Sequence, residues 1–94
     1  MVKYPADAQI KKGILELCVL QLIKELPTYG YEAIKTIRRH FPEVSESTIY
    51  AILRRLHIEK HADVLLCEDS GGSPRKYYVL TASGADLLES NKAS

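Results

Sequence analysis

What most constrains this chain is a change of period near residue 60. Up to that point apolar residues recur at helical spacing in three segments, each closed by a proline or opened by a cap. Beyond it come two short runs rich in Val, Leu and Tyr on either side of Gly71-Gly72, then one last helical stretch. A chain built this way is mainly α with a β-hairpin. Its 94 residues hold one small core. Length alone excludes an α/β barrel or a full dinucleotide-binding domain.

The first helix spans about residues 8–26 and stops at Pro27, which cannot continue a helix. Leu15, Val19, Leu22 and Leu26 fall at i, i+4, i+7 and i+11 on one face. Ile10, Ile14, Leu17 and Leu20 point to the other side. Two apolar faces imply burial twice, against the domain's own core and against another chain. A central helix in a compact monomer is the alternative. Cys18 lies between these faces and reads as a small buried hydrophobe.

Pro27-Thr28-Tyr29-Gly30-Tyr31 reads as a turn. The second helix, about residues 31–40, sets Ile34, Ile37 and Phe41 on one side and Lys35, Arg38 and Arg39 on the other, before Pro42. The third, about 46–60, starts after Ser45, whose hydroxyl can accept an orphan N–H of the first turn. Ile49, Ile52, Leu53 and Leu56 form its core stripe. The hairpin covers about residues 62–80. Thr81 then caps a short helix, about 82–89, holding Ala85, Leu87 and Leu88.

Three helices, a two-stranded hairpin and a short C-terminal helix read as a single winged helix-turn-helix domain over residues 1–94. The third helix is placed to enter a major groove, with the hairpin as the wing. The net charge of +1 says nothing about partners; charge placement does. Between Lys35 and Lys60 six basic residues face three acidic ones, and Arg75 and Lys76 follow the Gly-Gly turn. The third helix offers its N-terminus with Ser45, Ser47 and Thr48, then Tyr50 and Arg54. Ser47, Thr48 and Tyr50 are candidates for base edges; Arg54, Arg75 and Lys76 are candidates for phosphates. The partner expected is double-stranded DNA. The alternative is a winged helix used for protein interaction, without DNA binding.

Other chemistries find little support. His57 and His61 stand at i, i+4, but Ile58 occupies the place where a zinc protease motif has Glu, and no third ligand accompanies them. No nucleophile has an activating base beside it in the pattern, so no enzymatic activity and no cofactor are expected. No run approaches the roughly 18 apolar residues of a membrane span. The start lacks a signal-peptide core and carries Asp7, which suggests a cytoplasmic protein with reduced thiols.

Four stretches together resemble the PadR family of bacterial repressors. They are Lys12-Gly13-Ile14-Leu15-Glu16, Tyr29-Gly30-Tyr31-Glu32, the run from Ser47 to Leu56, and Gly71-Gly72-Ser73-Pro74-Arg75-Lys76-Tyr77-Tyr78-Val79-Leu80-Thr81 followed by Gly84. They span roughly residues 11 to 88. The resemblance implies a cytoplasmic repressor that binds a palindromic operator as a homodimer, often released by a small aromatic or hydrophobic effector. It carries the DNA-contacting role to Tyr29, Ser47, Thr48, Tyr50, Arg54, Arg75 and Lys76. Two departures stand out. The family has a Gly after the third helix where this chain has His61. Past the wing it continues into a dimerisation helix or domain, where only the short helix near 82–89 stands here. Dimerisation is then expected to rest on Ile10, Ile14 and Leu17 of the first helix with Leu87 and Leu88.

Overall fold

The computed structural model describes residues 5–68 and 74–93, with side chains described for residues 13–68 and 74–91. The Gly71-Gly72 turn and the side chain of Ile10 lie outside that set. Four helices surround a small antiparallel sheet: α1 (Pro5–Glu25), β1 (Thr28–Tyr29), α2 (Gly30–His40), α3 (Glu46–Ile58), β2 (Ala62–Cys67), β3 (Arg75–Leu80) and α4 (Ala82–Ala93). This is the expected winged helix with one addition. The segment read as a turn contains β1, which pairs with β3 through Thr28 opposite Tyr78 and Tyr29 opposite Tyr77. β3 is therefore central, flanked by β1 and β2. Inside β1 Thr28 is buried, and its hydroxyl donates to the Leu26 carbonyl at 2.9 Å.

The core is one cluster drawn from every helix. α3 contributes Ile49, Ile52, Leu53 and Leu56, as its stripe predicts, and α2 contributes Ala33, Ile34 and Ile37. α1 differs from its sequence reading. Its inward face is Leu15, Val19, Leu20 and Ile23, while Leu26 is 64% exposed and Leu22 only partly covered. Leu20, placed on the outer face by spacing, is fully buried. In a helix apolar nearly all round, periodicity cannot say which side meets the core; the packing of neighbouring elements decides it. Cys18, expected to be buried, is only partly so. Leu88, expected at a dimer surface, is 1% exposed and sits in the protomer's own core. α4 runs to Ala93 rather than stopping near 89, because no glycine or proline interrupts Ser90-Asn91-Lys92.

The end of α3 also departs from expectation. The helix stops at Ile58, not 60, and the left-handed residue is Lys60 (φ 67°), not His61. The His61 N–H reaches the Leu56 carbonyl at 2.8 Å and the Lys60 N–H reaches the His57 carbonyl at 3.0 Å. These two bonds form a Schellman cap, usually completed by glycine at the left-handed position. Lysine there suffers a Cβ–carbonyl clash of about 1–2 kcal/mol, so Lys60→Gly is expected to stabilise the fold by about 0.5–1 kcal/mol after the added chain entropy of glycine. Thermal melting checks this; an unchanged or lower midpoint would show that the lysine carries a compensating contact.

Candidate nucleic-acid interface

The site begins with the N-terminus of α3. The Ser45 hydroxyl accepts the Thr48 N–H at 3.3 Å and lies 3.1 Å from the Ser47 hydroxyl and 2.9 Å from that of Thr48. The cap thus gathers three exposed hydroxyls at the positive end of a helix dipole, where an anion is favoured. Ser45 is engaged in capping, which leaves Ser47 and Thr48 as the freer pair. Tyr50, Ala51 and Arg54 continue the exposed face. Behind them Ile49, Ile52, Leu53 and Leu56 are buried to 2% exposure or less, so the face stands on a fixed base.

The arginines have separate environments. Arg55 bonds Glu16 of α1 in a partly buried ion pair that joins the first and third helices. Arg38 of α2 lies 3.7 Å from Glu46 at the start of α3. Among the described residues no carboxylate pairs with Arg54. Of the two adjacent arginines, Arg55 is thus held inside the fold and Arg54 is left outward. The spacing of 39 residues between Glu16 and Arg55 gives no local signal of their contact.

The floor of the site is Tyr78, which sequence reasoning did not select. Burial raises its phenol pKa above the ordinary value of 10.0, nearby Tyr50 adds to the rise, and Arg54 opposes it. The phenol therefore stays neutral over the physiological range. Gly30, opening α2, lies under the same pair of rings: a methyl there would stand 3.5 Å from Tyr78 Cε1 and 3.6 Å from Tyr50 Cε1.

Strand alternation splits the two basic wing residues. Successive strand side chains point to opposite faces. Lys76 therefore shares a face with Tyr78, the residue next to Tyr50 and Arg54. Arg75 shares the other with Tyr77. Its guanidinium lies over the Tyr29 ring, 5.0 Å from the centroid, and Tyr29 and Tyr77 are 5.8 Å apart. Tyr29 also neighbours Tyr31, 6.3 Å away, whose ring carries Lys35 at 5.6 Å. The structure brings Ser45, Ser47, Thr48, Tyr50 and Arg54 together on α3, and places Lys76 on the sheet face beside them. It sets Tyr29 and Arg75 together on the opposite sheet face.

Of the residues read as dimer contacts, Ile14 is 46% exposed and Leu17 and Leu87 are half-buried. Between α1, α2 and α4 lies an open apolar cavity of about 570 Å³, lined in part by Leu17, Cys18, Leu22, Phe41 and Leu88. The side-chain oxygen of Gln21, on the same cavity, is buried with no hydrogen-bond partner among the described residues. His61, considered above as half of a metal pair, has its Nδ1 2.7 Å from the Ser83 hydroxyl. No helix among the described residues is long and apolar enough to cross a membrane.

Known proteins share this fold. The model of the transcriptional regulator PadR-like family matches residues 19–90. An uncharacterized protein of Lysinibacillus sphaericus is 32% identical over an alignment of 84 positions that covers 86% of this chain and 77% of that protein. Among solved structures, a PadR-like transcriptional regulator from Bacillus cereus strain ATCC 14579 is 41% identical with a TM-score of 0.80, covering 90% of this chain and 84% of its own. A PadR family transcriptional regulator from Eggerthella lenta DSM 2243 is 30% identical with a TM-score of 0.79, covering 94% and 77% respectively.

Proposed function

We propose that this chain, which belongs to the PadR-like family of transcriptional regulators, is a repressor that grips a palindromic operator as a homodimer. The observation that carries the reading is the outer face of α3. It offers hydroxyls at the capped N-terminus, then Tyr50 and an Arg54 with no carboxylate partner among the described residues, all on a rigid buried base. Ser47, Thr48 and Tyr50 are suited to base edges, and Arg54 and Lys76 to the flanking phosphates. Two such helices in a two-fold dimer would meet half-sites about one helical turn apart.

The exposed Ile14, with Leu17 and Leu87 beside it, supports a dimer formed through α1 and α4. The cavity beside them is within the usual range of small-molecule sites, about 300–1,000 Å³. Its apolar lining, and a Gln21 oxygen with no partner among the described residues, support a small aromatic or hydrophobic effector as the releasing signal. The protein would act in the cytoplasm, where its operator lies, without enzymatic activity.

Fluorescence anisotropy against a duplex from its own upstream region tests the reading. Binding should weaken steeply with salt, and Arg54→Ala should lower the salt slope by about 1 for one lost phosphate contact. Affinity indifferent to salt, or a protein that sediments as a monomer even on DNA, would overturn it.

A further inference from the structure

We infer that Arg75 serves DNA binding as a positioning residue, clamped by the Tyr29 ring, and that Lys76 makes the wing's phosphate contact. The inference rests on the operator-binding reading and divides the labour within it.

Three observations converge on this division. First, Arg75 and Lys76 are adjacent in β3 and so lie on opposite faces of the sheet. Lys76 shares a face with Tyr78, whose surroundings include Tyr50 and Arg54 of α3. Second, the guanidinium of Arg75 rests over Tyr29, and the Tyr29 ring packs against Tyr77, its direct cross-strand neighbour. The stack therefore ties the outer end of β3 to β1, the two-residue strand that leads directly into α2. Third, Arg75, Tyr29 and Tyr77 line a cleft of about 380 Å³ shared with Glu25 and Glu32. A guanidinium there lies in partly acidic surroundings on the sheet face opposite to Tyr78 and Lys76.

The physical consequence concerns the angle of the wing. A two-stranded ribbon twists readily, and β2 and β3 extend beyond the two residues that β1 covers. The Arg75–Tyr29 stack holds the outer end of that extension back against β1. With it in place, Lys76 is presented at a set height beside α3. Without it, the same lysine must be ordered at the moment of binding.

The test is a double-mutant cycle read by anisotropy. The probes are a labelled duplex from the protein's own upstream region and a mixed-sequence duplex of the same length. Arg75→Ala and Tyr29→Leu are each expected to weaken binding about two- to fivefold, matching the loss of one exposed cation–π contact. The double variant should be no weaker than either single one. Tyr29→Phe, which keeps the ring and removes only the hydroxyl, should weaken binding less than Tyr29→Leu. Salt dependence separates the roles: Lys76→Ala should reduce the slope by about 1, while Arg75→Ala leaves it unchanged. A slope that falls on Arg75→Ala, additive losses, or a Tyr29→Phe loss equal to that of Tyr29→Leu would overturn the inference while leaving DNA binding intact. A parent protein with no salt-dependent binding to either duplex would instead sink the operator reading and this inference with it. Thermal melts of each variant confirm that the comparison is made on folded protein.

Discussion

Gly84→Ala is expected to lower the melting temperature by more than about 10 °C, a loss near 3 kcal/mol for a domain of this size. The reason is proximity rather than backbone conformation. A Cβ on Gly84 would stand 2.1 Å from the His61 carbonyl oxygen and 3.0 Å from its carbon, with Leu80 Cδ1 at 2.7 Å. The leucine tip can turn aside, but the carbonyl cannot. That oxygen already accepts the Thr81 N–H at 3.2 Å, and the preceding Lys60 carbonyl accepts the Thr81 hydroxyl at 2.8 Å. Moving it breaks the junction that starts α4. Ser83→Ala, one residue earlier and exposed, removes only the bond to His61 and should cost about 1 kcal/mol or less. Differential scanning calorimetry of both variants settles the matter. A Gly84→Ala midpoint close to that of Ser83→Ala would mean that α4 can back away from His61 freely.

Leu88→Ala carries the second large effect and tells two roles of one residue apart. Leu88 is 1% exposed within the protomer, so truncation should cost about 2–5 kcal/mol, the usual range for a leucine removed from a packed core. Urea unfolding should show that loss equally at low and high protein concentration. The folded variant should keep the parent's state of association in sedimentation. Leu87→Ala, at the half-buried neighbour, should do the reverse, weakening association with little effect on the protomer. If Leu88→Ala instead loosened association and left protomer unfolding unchanged, Leu88 would belong to the interface, as its sequence position suggests.

These cases show where the sequence was readable and where it was not. α2 and α3 were legible because each has one apolar stripe, one polar face and a definite boundary: Pro42 after the first, Ser45 before the second. The α3 face bearing Ser47, Tyr50 and Arg54 could be read from the same spacing. The orientation of α1 could not, since Ile14, Leu15, Leu17, Val19, Leu20 and Leu22 leave no single polar side to mark the solvent. Leu88 shows the same ambiguity in α4, where only contact with α1 selects it over Leu87. β1 was invisible because two residues carry no period; Thr28 and Tyr29 are a strand only because β3 offers an edge. The family's glycine position falls at His61 in this chain, but the left-handed residue is Lys60, one earlier. The separation of Arg75 from Lys76 was available in principle, since alternation is a property of any strand, but grouping by charge hid it.

The junction at Lys60 and His61 bears on how motion passes through the molecule. Thr81 binds both carbonyls, Ser83 holds the His61 ring, and Gly84 lies against the same peptide. These attachments join the chain just past α3 to the start of α4 at a single corner. With 12 residues, α4 forms an arm of about 18 Å. On the proposed reading of α3, whatever partner seats α4 would bear, through this corner, on the pitch at which α3 enters the groove.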